Sequence, residues 1–312
     1  MKVILLCKRD WANFAYILAS SLRKVGVDAK TFFLYPHKFN YAQRGILFSE
    51  ASVKEVEDSD VVIFVHSEYV ETGVSLEGKI VAVCHTGTKY RQGSREVNRR
   101  FNPVVDVSFC GGDVLGMGAK NEVWIQPPID TEVIRPIYKT KFKKVIVGHY
   151  PSGQKGAKVI IDVIEKIKAK NLEFRYSNVT VPWKDNLKRM AECDVYIEEM
   201  NTSQKGIPLY IFGMQALEAA ALGKIVCTRF PMFNDYERVF GDCSLIPTNT
   251  PEILQSTLEN LLSMSDKNFV ELQMKTRRWV EERHSLEVIG SWLKEQFEKI
   301  GRSKHDLSKM YL

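Results

Sequence analysis

Two side chains in this sequence are best typed for ligand chemistry. One is a lysine in a glycine-bearing turn, the other a glutamate inside an alanine-rich helix. The turn is Gly148–Gly156, GHYPSGQKG. An apolar run leads in and a helix-forming run leads out, so exposed backbone N–H groups, a helix N-terminus and the Lys155 cation meet in one place. That is a phosphate-binding context, and His149 and Ser152 lie inside it. The spelling misses a Walker A loop. Gln154 separates Gly153 from Lys155, and Gly156 stands where Ser or Thr is required, which disfavours ATPase chemistry. The glutamate is Glu218 in Gly213–Thr228, GMQALEAAALGKIVCT. Alanines at 216, 219, 220 and 221 leave the helix lean enough to lie close to a sheet. The N-terminal amides of Gly213, Met214 and Gln215 are placed to receive an anion, and Glu218, one turn in, to accept bonds from a ribose diol. The plain alternative for both Lys155 and Glu218 is a solvated helix residue.

Other candidates follow apolar runs. His85 ends the run KIVAVC and precedes Gly87 in CHTGTKYR. It suits a hydrogen bond to a substrate hydroxyl or proton transfer, or else a satisfied core position, and His66 ends a similar run. Asn13 in KRDWAN is a helix cap or a ligand contact. No GxGxxG follows the first strand, which argues against a nicotinamide or flavin enzyme. Glu198 and Glu199 close DVYIEE as cleft carboxylates or as a solvated pair.

These positions require strands and helices in alternation. Lys2–Cys7, Ala29–Leu34, Val61–Val65, Lys79–Cys84, Val104–Phe109 and Glu122–Gln126 read as buried strands. Phe14, Leu18, Leu22 and Val25 recur at helical spacing behind Asp10, a cap candidate. The prolines of Gln126–Lys144 mark a boundary. The pattern then restarts, with strands at Lys144–Gly148, Leu172–Tyr176, Asp194–Glu198, Lys224–Thr228 and Ser244–Pro247. Helices are expected at Gly156–Ala169 and Asp185–Ala191, and three more close the chain: Pro251–Met264, Asn268–Glu282 and Leu286–Ile300. Alternation of this kind predicts βαβ units with mainly parallel sheets. Such sheets bind ligands beyond the carboxyl ends of their strands.

At 312 residues two domains are expected. The six cysteines are scattered without a CxxC pair and read as buried free thiols. With no apolar run of membrane-spanning length and no leader-like start, the expected location is cytoplasmic. The net charge of +6 includes a basic cluster at Arg91–Arg100, read with Lys89 as a loop. It is either a solvated surface or an attraction for an anionic partner.

Four segments, in order, resemble the retaining family 4 glycosyltransferases of the GT-B fold. They are CHTGTKYR, IQPPID before the second half, GHYPSGQKGAKVIIDVIEKIK, and CDVYIEE followed by GIPLYIFGMQALEAAALGKIVCT. The resemblance implies two doubly wound Rossmann-like domains facing a cleft, with C-terminal helices. The first, acceptor-side domain is expected at 1–135 and the nucleotide-sugar domain at 136–284. The last helix, 285–312, is expected to return toward the first domain. By the same resemblance Glu218 holds the donor ribose and Lys155 the diphosphate. Gly213, Met214 and Gln215 face the transferred sugar and its phosphates, Ser152 and His149 support them, and His85 stands near the sugar as the catalytic residue. Two positions depart: a family glutamate is Tyr210 here, and a family arginine is His149.

The expected activity is therefore transfer of a sugar from a nucleoside-diphosphate sugar to an acceptor hydroxyl, with retention and without a metal or resident cofactor. UDP ranks first as carrier and GDP next. A glycan, a lipid-linked group or a protein is preferred as acceptor over nucleic acid, and the basic segment also suits peripheral contact with a membrane. The rival readings are a GT-B epimerase or phosphorylase and a catalytically weak nucleotide-sugar-binding protein.

Overall fold

The computed structural model describes every residue except 38, 42, 43, 152–154, 205, 311 and 312, and the side chains of 204 and 305–310. It divides into two units. One comprises Met1–Pro128 with Ser285–Leu312, the other Ile129–His284.

In the first unit the apolar run Lys2–Cys7 forms β1, followed by α1 (Phe14–Lys24) and β2 (Asp28–Phe33). Next come β3 (Ile46–Leu47), α2 (Glu50–Glu57) and β4 (Val61–Val65). The unit continues with β5 (Ile80–His85), α3 (Gly87–Phe101), β6 (Val107–Cys110) and β7 (Glu122–Trp124). The strands make one parallel sheet in the order β3-β2-β1-β4-β5-β6-β7. Val3 lies opposite both Ala29 and Val61, which sets the register at its centre. On one face Ile4, Leu6, Val62, Phe64, Val81 and Val83 pack with Phe101 and Val105. Burial on both faces explains why these strands read as continuous apolar runs.

Two short helices escaped the sequence reading, and the segment Lys89–Arg100, read there as a basic loop, lies inside α3. Its arginines and glycines hid the helical period. Arg91 is buried in an ion pair with Asp113. Arg99 pairs with Glu96, and Arg100 lies 4.3 Å over the Tyr69 ring. Much of the charge that looked available to a partner is therefore engaged within the unit.

The second unit contains β8 (Val145–His149), α4 (Ala157–Lys166), β9 (Leu172–Tyr176), α5 (Trp183–Ala191) and β10 (Val195–Ile197). A small hairpin, β11 (Ser203–Gln204) and β12 (Ile207–Pro208), precedes α6 (Met214–Ala221) and β13 (Ile225–Thr228). Then come α7 (Phe233–Phe240), β14 (Ile246–Pro247), α8 (Pro251–Leu262) and α9 (Asp266–His284). The parallel sheet runs β14-β13-β10-β8-β9. Its core joins Val145, Val147, Ile197 and Ile225 to Ile160, Leu254 and Leu258. The chain enters and leaves this unit side by side, where Ile129 N donates to His284 O at 2.8 Å. Arg277, nearly buried, donates to the carbonyls of Thr131, Ile134 and Ala221 and fixes the entering segment.

The last helix, Leu286–Met310, packs along α1 in the first unit. At the crossing a Cβ on Gly290 would lie 2.0 Å from Ser21 O, so only glycine allows the two backbones this close. All six cysteines are buried and free. No helix among the described residues is long and apolar enough to cross a membrane.

Gly290→Ala should cost about 1–3 kcal/mol by overpacking. Gly301→Ala, in the same helix, would place its Cβ 3.7 Å from Ile80 Cδ1 and should be neutral or stabilising by about 0.5–1 kcal/mol. Thermal denaturation of both variants checks this; equal melting temperatures would contradict the close crossing.

Candidate active site

The second sheet reverses its winding between β8 and β10. The chain moves from β8 to β9 on one side and from β10 outward on the other. A crevice at the carboxyl ends follows from that topology, and the charged residues of this unit gather there. Lys155 and Gly156 end the turn after β8 with φ of 36° and 76°. Gly156 is fixed by space as well as by its positive φ: a Cβ there would lie 2.7 Å from Met200 Cβ and 2.8 Å from its carbonyl carbon. Met200 N donates to Lys155 O at 3.1 Å, which ties the turn to the chain leaving β10.

This clamp points the lysine at Glu198. Nζ makes an ion pair with Oε1 of Glu198, a carboxylate only 1% exposed. The other oxygen, Oε2, accepts from Thr228 Oγ1 at 3.0 Å and from Gly213 N at 3.4 Å. A lysine, a strand-end hydroxyl and the first amide of α6 thus converge on one buried carboxylate. A Cβ on Gly213 would meet Glu198 Oε1 at 2.9 Å, so glycine lets the helix start directly over the ion pair. Burial opposes the charge on Lys155, but Glu198, Glu199 and Glu218 outweigh it and hold its pKa above the usual lysine value.

α6 is buried along Ala216–Ala221 and packs against α9, α5 and β13. Its alanines leave room for these neighbours. Glu218 is 7% exposed and accepts from Trp183 Nε1 at 2.7 Å. Burial pushes its carboxyl up to about 7, with the Trp183 bond and Lys155 acting in the opposite sense. Glu199 is also pushed up to about 7, by burial and then by Glu198, while Asn201 N donates to its Oε1 at 2.7 Å. Two carboxyls poised near neutrality beside a charged lysine make a site whose net charge responds to an arriving anion.

The remaining sequence candidates of this unit lie around that cluster. Gln215 Nε2 donates to Tyr150 O at 3.0 Å, and Met214 opens the first turn of α6. His149 is fully buried; its Nδ1 donates to Ile197 O at 2.8 Å, and burial lowers its pKa to about 4. It is therefore neutral near pH 7 and supplies no cation where the sequence resemblance expects an arginine. Tyr210 is 40% exposed on the loop before α6. Ser152 lies outside the described residues.

His85 and Asn13 belong to the first unit. Expected to face the sugar, His85 is instead fully buried. Its Nδ1 shares a 2.9 Å hydrogen bond with Ser67 Oγ, its ring stacks on Tyr90 at 4.0 Å, and burial lowers its pKa to about 4. The last position of β5 points into the core, and the side chain shows the surface nothing. Nor is Asn13 a side-chain cap for α1; it holds φ 56° at the helix start. Asp10 does the capping, accepting from Ala15 N at 2.8 Å and Tyr16 N at 2.9 Å.

The first sheet has its own reversal, between β1 and β4. Asp10 bridges it, with Oδ1 3.4 Å from His66 Nε2. His66 Nδ1 lies 3.1 Å from Thr86 Oγ1. A carboxylate accepting at Nε2 leaves Nδ1 to accept from the threonine hydroxyl. Ala12, Asn13, His66 and Ser67 all have positive φ here, a strained backbone of the kind found at binding sites.

Sequence reasoning passed over Trp183 and Thr228 and left His66 as a parallel to His85. Nothing local in the Trp183 segment signals a partner 35 residues away, and Thr228 looked like a strand end. Among the described residues no group of three His, Cys, Asp or Glu side chains is placed to hold a metal ion.

Two successive doubly wound units with parallel sheets define the GT-B architecture, and solved structures share it over nearly the whole chain. An α-glucosyltransferase in complex with UDP and a 13-mer DNA containing a HMU base matches with a TM-score of 0.68 at 14% identity. The match covers 96% of this chain and 99% of that one. HepE of Anabaena, in complex with UDP and glucose, matches at 0.64 and 11% identity, covering 96% and 100%. Sucrose-phosphate synthase from Thermosynechococcus elongatus matches at 0.64 and 11%, covering 97% and 100%. No protein-family model matches the chain, and no curated protein matches it in sequence.

The raised carboxyl pKa of Glu218 gives a signed prediction. The folded state holds this proton more tightly than the unfolded chain, so its contribution is fully present below about pH 4.5 and is lost as pH rises through about 7. Glu218→Gln cannot lose it. The variant should gain on the natural protein by up to ~3 kcal/mol between pH 5 and pH 8, read by urea denaturation at each pH. A constant difference would mean that Glu218 titrates normally.

Proposed function

We propose that this protein is a glycosyltransferase that takes a sugar from a nucleoside-diphosphate donor, UDP-linked first and GDP-linked second. The observation that carries the reading is the convergence of Lys155, the Gly213 amide and Glu218 at the reversal point of the second sheet. A diphosphate competes with Glu198 for Lys155 and takes the amides that open α6. Glu218 accepts from the ribose hydroxyls in place of, or beside, the Trp183 indole. Complexes with UDP among proteins of the same fold support this assignment.

In the reaction an acceptor oxygen bonds to the anomeric carbon as the bond from that carbon to the diphosphate breaks. The acceptor proton passes to the departing phosphate. Negative charge grows on the diphosphate, where Lys155 and the helix N-terminus stabilise it electrostatically. These groups suffice for the leaving group without a resident metal or cofactor. Retention of configuration and membership of family 4 follow from the sequence resemblance and are part of the proposal. A second reading, donor binding with little turnover, is favoured by one observation: Tyr210 stands exposed where the resemblance expects a glutamate.

UDP at about a hundred times its dissociation constant should stabilise the protein by ~2.7 kcal/mol, with or without Mg²⁺, and GDP, ADP and dTDP should do less. Lys155→Ala should weaken UDP by at least ~10-fold while weakening uridine little, a loss of charge-assisted bonding. Glu218→Ala should weaken both. Calorimetry and melting shifts read these outcomes. A shift confined to ADP or ATP with Mg²⁺ would replace the transferase with a nucleotide hydrolase. UDP binding without sugar transfer, restored by Tyr210→Glu, would establish the second reading.

A further inference from the structure

The loops after β1 and β2 carry a composition that the transferase reading does not use. They contribute Lys8, Arg9 and Trp11, then Tyr35, His37, Tyr41 and Arg44. Beside them lies a shallow recess open to solvent, lined by Asp10, Phe33, Tyr35, His37, Tyr41 and Arg44 among others, with Lys8, Arg9 and Trp11 outside its lining on the neighbouring loop. The aromatic groups of these loops are not simply core. Trp11 is 45% exposed and Tyr35 55%. The Trp11 ring meets His37 edge-on at 4.9 Å, and Arg9 lies 5.6 Å over it. Tyr35 makes no ring contact among the described residues, so its face is open.

The exposed charge around the recess is basic, while the Glu68 carboxylate beneath accepts from the Lys8 and Arg9 amides at 3.0 and 3.4 Å. Lys8, Arg9 and Arg44 are exposed and form no ion pair among the described residues. The acid in the lining, Asp10, is 6% exposed and already accepts from two amides of α1 and approaches His66. It offers little to an incoming cation or sugar hydroxyl. A neutral glycan would stack on these rings but would find the nearby carboxylates, Asp10 and Glu68, already engaged by backbone amides. Planar rings interleaved with unpaired cations are instead the recognition chemistry of a single-stranded nucleic acid, in which bases stack and phosphates pair.

We propose that this open face of the first unit, formed by the loops after β1 and β2, binds single-stranded nucleic acid, with bases on Tyr35 and Trp11 and phosphates on Lys8, Arg9 and Arg44. The strand is then the acceptor, an assignment that rests on the transferase reading; the binding itself does not. This reverses the order of acceptors expected from the sequence.

The test is fluorescence anisotropy of the intact protein with labelled single strands of about 12 nucleotides, DNA in one arm and RNA in the other. Binding is expected in at least one arm. Three phosphate contacts predict a fall in affinity of about 20-fold between about 50 and 200 mM salt. Tyr35→Ala and Trp11→Ala should each weaken binding by about 5- to 150-fold. Arg44→Gln should reduce the salt slope by about 0.7. The UDP melting shift of each variant verifies that the protein is still folded. No binding by a protein that still responds to UDP would overturn the proposal and leave the transferase intact. So would binding undiminished in Tyr35→Ala and Trp11→Ala, or stronger binding to a neutral oligosaccharide or to anionic vesicles. Oligonucleotide binding without any UDP response would sustain this face as a binding site and remove the transferase.

Discussion

The pairing of Lys155 with Glu198 is the constraint on which the second unit's chemistry depends. A carboxylate 1% exposed is tolerable only with partners, and each partner comes from a different element. Lys155 arrives on the turn after β8, Thr228 ends β13, and Gly213 begins α6. Removing Glu198 would leave the lysine without its ion-pair partner and a strand-end hydroxyl and helix amide without their acceptor. The arrangement explains why the turn bends left-handed at Lys155 and Gly156 and why the residue that caps the start of α6 has no side chain.

Much of this was legible in the sequence, for physical reasons that differ from place to place. Val61–Val65 and Leu172–Tyr176 read as strands with the ends that the structure gives. Apolar runs of that length have few other ways to be buried. Lys155, Gly213 and Glu218 were visible because glycine and alanine patterns leave local signatures. Their convergence was not, since Glu198 is 43 residues from Lys155 and 20 from Glu218 and only the winding of the sheet joins them. The burial of His85 was not legible, because a strand end does not reveal which way its last side chain turns. The helix at Gly87–Phe101 was misjudged because its charges mask a buried stripe of Tyr90, Asn98 and Phe101.

The two units use the same topological device with different tenants. In the second, the reversal point holds a lysine–carboxylate pair. In the first, it holds the Asp10–His66–Thr86 chain. Asp10 has a double duty there, since the amides of α1 fix the carboxylate that approaches the imidazole. A change in α1's first turn would therefore move His66 without touching it.

The first unit is assembled from both ends of the described chain, with 129–284 folded into the other unit between them. This gives the protein a schedule during synthesis. The face of α1 that receives Gly290 has no cover when residues 1–128 emerge. The covering helix follows after the whole second unit, a wait on the order of ten seconds at ordinary translation speeds. The second unit, continuous in sequence, completes its contacts first. The nascent first unit meanwhile presents the face of α1 at Ser21 and Leu22 that Gly290 later covers, and a chaperone or a neighbouring nascent chain would find that surface open for this interval alone.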